Sequence, residues 1–173
     1  MKRWLAVVPV ALLVLFAGLA LSQLLSPKKG DFERVSRAAP DRQFTTLDGG
    51  DMTFAPPPGE ETIVVNLFAS WCAPCEAEHP QLMTLSERFP GRVYGVLYKD
   101  TPDNGAEFLE RMGNPFARVA VDPDGQGGLD FGLTGVPETF VISSNGEILL
   151  HVAGPLGPDD VKEVSGALSA PRN

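Results

Sequence analysis

Ile63-Val64-Val65-Asn66-Leu67-Phe68-Ala69-Ser70-Trp71-Cys72-Ala73-Pro74-Cys75 decides the fold of this 173-residue chain. The first six residues are apolar except for Asn66. A short run of that kind suits a central strand buried on both faces. Ala73 to Phe89 reads as a helix, with Leu82, Leu85 and Phe89 on one side and Pro80 inside it as a predicted kink. Cys72 and Cys75, the only cysteines, therefore fall where a buried strand gives way to a helix. Two residues between cysteines in a first helical turn bring the sulfurs within bridging range. The unpaired N–H groups and partial positive charge of a helix start stabilise a thiolate, which is the nucleophilic form. Cys72, at the exposed end, is expected to attack, and Cys75, a turn deeper, to resolve the mixed disulfide.

Two blander readings compete. A structural zinc site wants four ligands, and beyond the two cysteines only His79 and His151 are of the usual soft type, so no metal is expected. A permanent structural disulfide closing so short a loop would add little stability.

Outward from this centre, strands and helices alternate. Phe44–Thr46 and Met52–Phe54 flank a Gly-Gly turn and suggest a hairpin, and Pro56-Pro57-Pro58-Gly59 breaks the chain after it. Val93–Tyr98 is a second apolar strand. Thr101-Pro102 opens a helix, with Thr as N-cap, that Gly113-Asn114-Pro115 stops. Arg118–Val121 is a short strand. Thr139–Ile142 and Glu147–Val152 are joined by an Asn145-Gly146 turn, and Pro158–Leu168 is a closing helix. The expected class is α/β with a mixed sheet.

At the N-terminus, Leu5–Leu21 contains no charged or polar side chain, and Lys2 and Arg3 precede it. About 20 apolar residues cross a bilayer as a helix, and the flanking basic residues favour the cytoplasmic side. The expectation is an uncleaved anchor over 1–25, a polar tether over 26–42 and a domain over 43–173 outside the cytoplasm. A cleaved signal peptide, with Gly18-Leu19-Ala20 as the processing site, is the alternative. The chain carries 14 Lys and Arg against 22 Asp and Glu, a formal net charge of −8. Nucleic acid is not an expected partner, because phosphate binding needs clustered cations.

Taken together, these residues resemble the thioredoxin superfamily. Trp71-Cys72-Ala73-Pro74-Cys75 matches its WCxPC site, Pro80 its helix proline, and Gly135-Val136-Pro137 its cis-proline loop. Asn66–Cys72, Glu76-Ala77-Glu78-His79, Tyr98-Lys99-Asp100, Gly113-Asn114-Pro115 and Gly135–Phe140 are similar to the cytochrome c maturation thioredoxins, the CcmG/DsbE group. The resemblance implies a thioredoxin fold with an N-terminal β-hairpin and a central α/β insert, behind one transmembrane helix of the inner membrane. It implies a periplasmic thiol:disulfide oxidoreductase without cofactor that reduces the CxxCH cysteines of apocytochrome c. Its reductant would be a membrane thiol protein of the CcdA or DsbD kind. A broader reductase of the TlpA or ResA kind, or an assembly module without redox turnover, would keep the same fold.

Residue by residue, the resemblance implies catalytic roles for Cys72, Cys75 and Pro137. Many thioredoxins carry a buried Asp where this chain has Asn66. Glu78, three residues after Cys75, is the candidate to relay a proton in its place, against the alternative of a solvated helix-surface Glu. Trp71, Pro74, Val136 and Glu138 are candidates to line the substrate groove, and a cis Pro137 would leave the Val136 backbone free to pair with a client segment. A surface Glu is the alternative for Glu138, and a packed helix residue is the reading for His79.

Overall fold

The computed structural model describes residues 4–25, 31–55, 57 and 61–170. Lys2, Arg3, the first part of the expected tether and most of the Pro-Pro-Pro-Gly stretch lie outside the described residues. The elements in chain order are α1 (Trp4–Leu25), β1 (Asp31–Ala38), β2 (Phe44–Thr45), β3 (Asp51–Met52), β4 (Ile63–Phe68), α2 (Ala73–Arg88), β5 (Val93–Tyr98), α3 (Pro102–Met112), β6 (Val119–Asp122), α4 (Gln126–Asp130), β7 (Glu138–Ile142), β8 (Glu147–Ala153) and α5 (Pro158–Ser169).

Six strands form one mixed sheet in the order β1-β8-β7-β4-β5-β6, and β2 and β3 form a separate hairpin. β4 is parallel to β5 and antiparallel to β7, so it has neighbours on both sides. That is the central position its apolar run predicts, and all six of its residues are buried. Alternation of side chains across the strand divides the core in two. Val64 and Phe68 join one cluster with Leu82, Leu85, Phe108, Val164 and Leu168. Ile63, Val65 and Leu67 join the other with Phe44, Phe54, Phe131 and Phe140.

Phe68 stacks on Phe116 at 4.9 Å between centroids and leans on Phe108 at 5.8 Å. Removing that ring leaves a cavity between β4, α3 and the start of β6. Phe68→Ala is expected to cost roughly 3–5 kcal/mol, measurable as a lower urea midpoint at unchanged slope. The α3 helix approaches the sheet closely through Gly105, where an added Cβ would lie 2.4 Å from Leu97 Cδ2. Thr101 caps α3 by accepting the Asn104 N–H, and Gly113 ends it at φ +90°.

Two parts of the chain differ from expectation. The stretch 26–42, expected as a tether, contains β1, which pairs antiparallel with β8 from Asp31↔Ala153 to Ala38↔Glu147. Edge pairing needs only backbone groups, so the charged sequence Asp-Phe-Glu-Arg-Val-Ser-Arg-Ala forms a strand without a continuous apolar face. The short helix α4 is the second difference. Its Gly127 and Gly128 N–H groups bond the Asp122 carboxylate at 2.9 and 2.8 Å, an anchor no local helix signal announces.

The α1 helix has 22 residues and contains Pro9. Its described apolar side chains, Leu12 to Phe16 among them, are exposed. The side chains at both of its ends lie outside the described residues. Among the described residues no helix is long and apolar enough to cross a membrane.

Candidate active site

Cys72 and Cys75 are joined by a disulfide, with S–S 2.03 Å and Cα–Cα 5.3 Å. Cys72 is the N-cap of α2, and its Sγ accepts the Cys75 N–H at 3.2 Å. The carbonyl of Cys72 accepts the N–H groups of Cys75 and Glu76 at 3.1 and 3.2 Å. The attacking sulfur thus sits on the positive end of a 16-residue helix, with one N–H aimed at it. One expectation needs correction. Cys72 is 4% exposed and Cys75 2%, so in the oxidised form both are buried. What separates the two is the Cys72 cap position, not exposure.

Glu78 lies one helical turn beyond Cys75 and is 1% exposed, which excludes the solvated-surface reading. Its carboxylate accepts Asn66 Nδ2 at 2.8 Å and the Leu156 N–H at 2.7 Å. Burial pushes its pKa up to about 7, and the bonds from Leu156 and Asn66 only partly offset this. Asn66, fully buried in β4, also donates to Thr139 Oγ1 at 3.0 Å and so links α2 to β7. A carboxyl raised that far is partly protonated at neutral pH.

The Val136–Pro137 peptide bond is cis. Pro137 is buried and Val136 half-buried, directly before β7. Glu138, the first residue of β7, is not a surface residue either. It is 1% exposed, and its carboxylate accepts the N–H groups of Thr134 and Gly135 at 3.0 and 3.3 Å. It also accepts the Thr134 hydroxyl and, at 2.7 Å, His151 Nε2. Burial works against its ionisation, but these bonds prevail and hold the carboxyl below the usual range. Glu138 therefore organises the loop that leads into Pro137.

His151 enters as its partner, a role the sequence does not suggest. The ring stacks on Phe140 at 4.4 Å between centroids. His151→Ala is expected to lower the second-order rate of client reduction about tenfold, the scale of one charged hydrogen bond. The rate with dithiothreitol should stay unchanged, and His151→Gln should recover part of the loss.

Trp71 is 60% exposed, and its indole N–H donates to the Lys99 carbonyl at 3.2 Å. Pro74 is exposed. Lys99 and Asp100, around the end of β5, hold local structure. Lys99 takes φ +48°, and the Asp100 carboxylate accepts the N–H groups of Ser70 and Thr101 at 2.7 and 2.8 Å and Asn104 Nδ2 at 3.0 Å. Burial opposes its ionisation, yet the bonds from Ser70, Asn104 and Thr101 hold its pKa below normal. Asp100 thereby ties the turn before Cys72 to the start of α3. His79 is the packed residue expected, donating Nε2 to the Gly113 carbonyl at 3.0 Å and standing edge-on to Phe108. No cluster that could hold a metal exists among the described residues.

A disulfide capping a helix after a central strand, at the sheet end that also carries a cis-proline loop, defines a thioredoxin-like thiol–disulfide exchanger. The redoxin family model matches residues 34–168. The HelX thiol:disulfide interchange protein of Rhodobacter capsulatus is 50% identical over 140 residues, covering 81% of this chain and 74% of its own. The DsbE homologue of Paracoccus denitrificans is 41% identical over 172 residues, covering 94% of each chain. A DsbE-type protein of Chlorobium tepidum superposes with a TM-score of 0.65 at 26% identity, covering 82% of this chain and 95% of that one. The chain belongs to the redoxin family of the thioredoxin superfamily, within its DsbE/CcmG-type thiol:disulfide interchange proteins. It is a thiol:disulfide oxidoreductase.

Proposed function

We propose that this chain is an inner-membrane-anchored reductase whose domain lies in the periplasm and reduces the CxxCH cysteines of apocytochrome c during cytochrome c maturation. The observation that carries the reading is the Cys72–Cys75 pair capping α2, with the cis Val136–Pro137 edge that Glu138 and His151 brace. The likeness to HelX and DsbE proteins supports the client assignment. The run Leu5–Leu21, which has no charged or polar side chain and follows Lys2 and Arg3, supports the anchor. A membrane thiol protein of the CcdA or DsbD kind would restore the dithiol.

In the forward reaction the Cys72 thiolate attacks one sulfur of the client disulfide, and the other client sulfur leaves and takes a proton. Cys75 then attacks Cys72, releasing the second client thiol and closing the Cys72–Cys75 disulfide. Glu78, one helical turn beyond Cys75, would take the Cys75 proton in that step. The Val136 backbone, in the bend before β7, would give the client segment an edge to pair with.

Cys75→Ala removes the resolving sulfur, so the mixed disulfide through Cys72 should accumulate. Non-reducing gels of cells expressing this variant should show apocytochromes in the adducts. Adducts holding only other extracytoplasmic proteins would replace the client assignment by a broader reductase of the TlpA or ResA kind. Recovery of the full chain in the membrane pellet after alkaline carbonate washing is the matching test of the anchor.

A further inference from the structure

The way β1 enters the sheet fixes which end of the domain the chain arrives from. Asp31 opposes Ala153 of β8, Ala153 opposes Glu138 of β7, and Glu138 opposes Leu67 of β4. These four residues form one row across four neighbouring strands. Beyond Leu67 and Phe68 the chain turns directly into Trp71 and Cys72, and before Glu138 lies Pro137. The segment leaving α1 therefore joins the sheet at the same end as the disulfide and the cis-proline loop. Laterally, β1 and β4 are three strand spacings apart, or roughly 14 Å.

The connection is short. Only residues 26–30 separate Leu25 of α1 from Asp31 of β1. Fully extended, that link spans at most about 20 Å. The other end of the sheet, at the Ser143–Gly146 turn, is a full strand away. With the seven residues of β8 that depth is roughly 23 Å. A link of about 20 Å is too short to run back along β1 and bring that far end down to the point where α1 ends.

We infer that the disulfide end of the domain faces the bilayer in which α1 is anchored, so that a thiol donor at the membrane surface meets the Cys72–Cys75 pair directly. This rests on the anchored reading of α1 and deepens it by assigning an orientation and a reach. In the reloading step a donor thiolate attacks one sulfur of Cys72–Cys75, and the other sulfur leaves as thiolate and takes a proton. The donor's second thiol then attacks the mixed disulfide, closing the donor disulfide and releasing the remaining cysteine of this chain. Two electrons and two protons pass to this chain, and the donor is oxidised. Partners whose thiols lie far above the membrane surface meet the opposite, turn-bearing end.

The test uses the full chain in phosphatidylcholine nanodiscs doped with a gadolinium-chelating lipid, read as paramagnetic broadening of backbone amides by NMR. Trp71, Thr134 and Gly135 report the disulfide end, and Gly91 and Asn145 the far end; all five are exposed. Broadening several-fold greater at Trp71, Thr134 and Gly135 is the expected result. Equal or reversed broadening in chains that do enter the discs overturns the orientation while leaving the anchor intact. A chain that fails to enter the discs at all overturns the anchor, and the orientation with it. Inserting about twenty Gly-Ser residues between Lys29 and Gly30 adds a coil of roughly 25 Å and should abolish the difference between the two ends. A difference that persists in this variant shows that the link does not set the orientation, and overturns the inference.

Discussion

Cys72→Ser abolishes turnover, lowering the rate of client reduction by roughly a thousandfold or more. A serine hydroxyl in the same cap position still accepts the Cys75 N–H, so the helix start and the fold survive the change. What disappears is the ionisable sulfur. A thiol beside a helix N-terminus supplies thiolate at neutral pH, whereas a serine hydroxyl stays protonated there and cannot form a disulfide at all. Cys75 does not substitute, because it lies within α2 and not at its cap, with its own N–H directed at the Cys72 sulfur. Stopped-flow reduction of an oxidised Cys-x-x-Cys-His peptide, with circular dichroism to confirm folding, measures the effect. A folded Cys72→Ser protein with normal activity would remove Cys72 from the mechanism.

Glu78→Gln changes how stability and rate depend on pH. In the folded protein burial lifts the Glu78 pKa from 4.5 to about 7, so between those values the native state binds a proton that the unfolded chain has released. Stability therefore falls as pH rises through that window, by about 1.4 kcal/mol for each pH unit crossed, or about 3 kcal/mol in all. Below about pH 4.5 both states hold the proton and no cost arises. The Gln variant carries no charge in either state, so its denaturant midpoint should stay nearly flat from about pH 5 to about pH 8, where the parent's declines. The same substitution removes the buried carboxylate one helical turn beyond Cys75. The resolving step should lose its pH-dependent limb near neutrality while the first attack by Cys72 keeps its own. A Gln variant with the parent's pH profiles, in both stability and rate, would leave Glu78 a merely buried carboxyl.

How legible these features are in the sequence follows from the range of the interactions that make them. β4, α2, β5 and α3 are readable because their signals are local: an apolar run, a helical stripe, a Thr-Pro start and a Gly stop. β1 is not, because an edge strand is made by its partner's backbone and Asp31–Ala38 has little apolar pattern of its own. The cysteine pair is readable from spacing alone. Glu78 is readable as a candidate, but its burial depends on Asn66 in β4 and on the Leu156 N–H 78 residues downstream. Glu138 reads as a groove or surface residue, and its burial is not legible for the same reason: its partners gather only when β8 lies beside β7. Asp100 carries no signal as the clamp on Ser70, because the two are 30 residues apart.

These partnerships share one consequence for function. Three buried carboxyl groups, Glu78, Asp100 and Glu138, each fix one wall around the disulfide: the inner face of α2, the turn before Cys72 and the cis-proline loop. Each is held by donors from a different segment, so the site's geometry is set by the whole sheet and not by the CxxC turn alone. Loosening any one wall is expected to show first in exchange with a bulky protein client and only later in exchange with a small thiol.

The most direct test of the central claim is to mix the reduced full chain, in detergent at neutral pH, with one equivalent of an oxidised Cys-x-x-Cys-His peptide and follow the thiols of both partners to equilibrium. The account predicts that two peptide thiols appear for each Cys72–Cys75 disulfide formed, with the peptide ending mainly reduced. A peptide disulfide left intact beside a still-reduced protein, or electrons flowing from reduced peptide to oxidised protein, would contradict it.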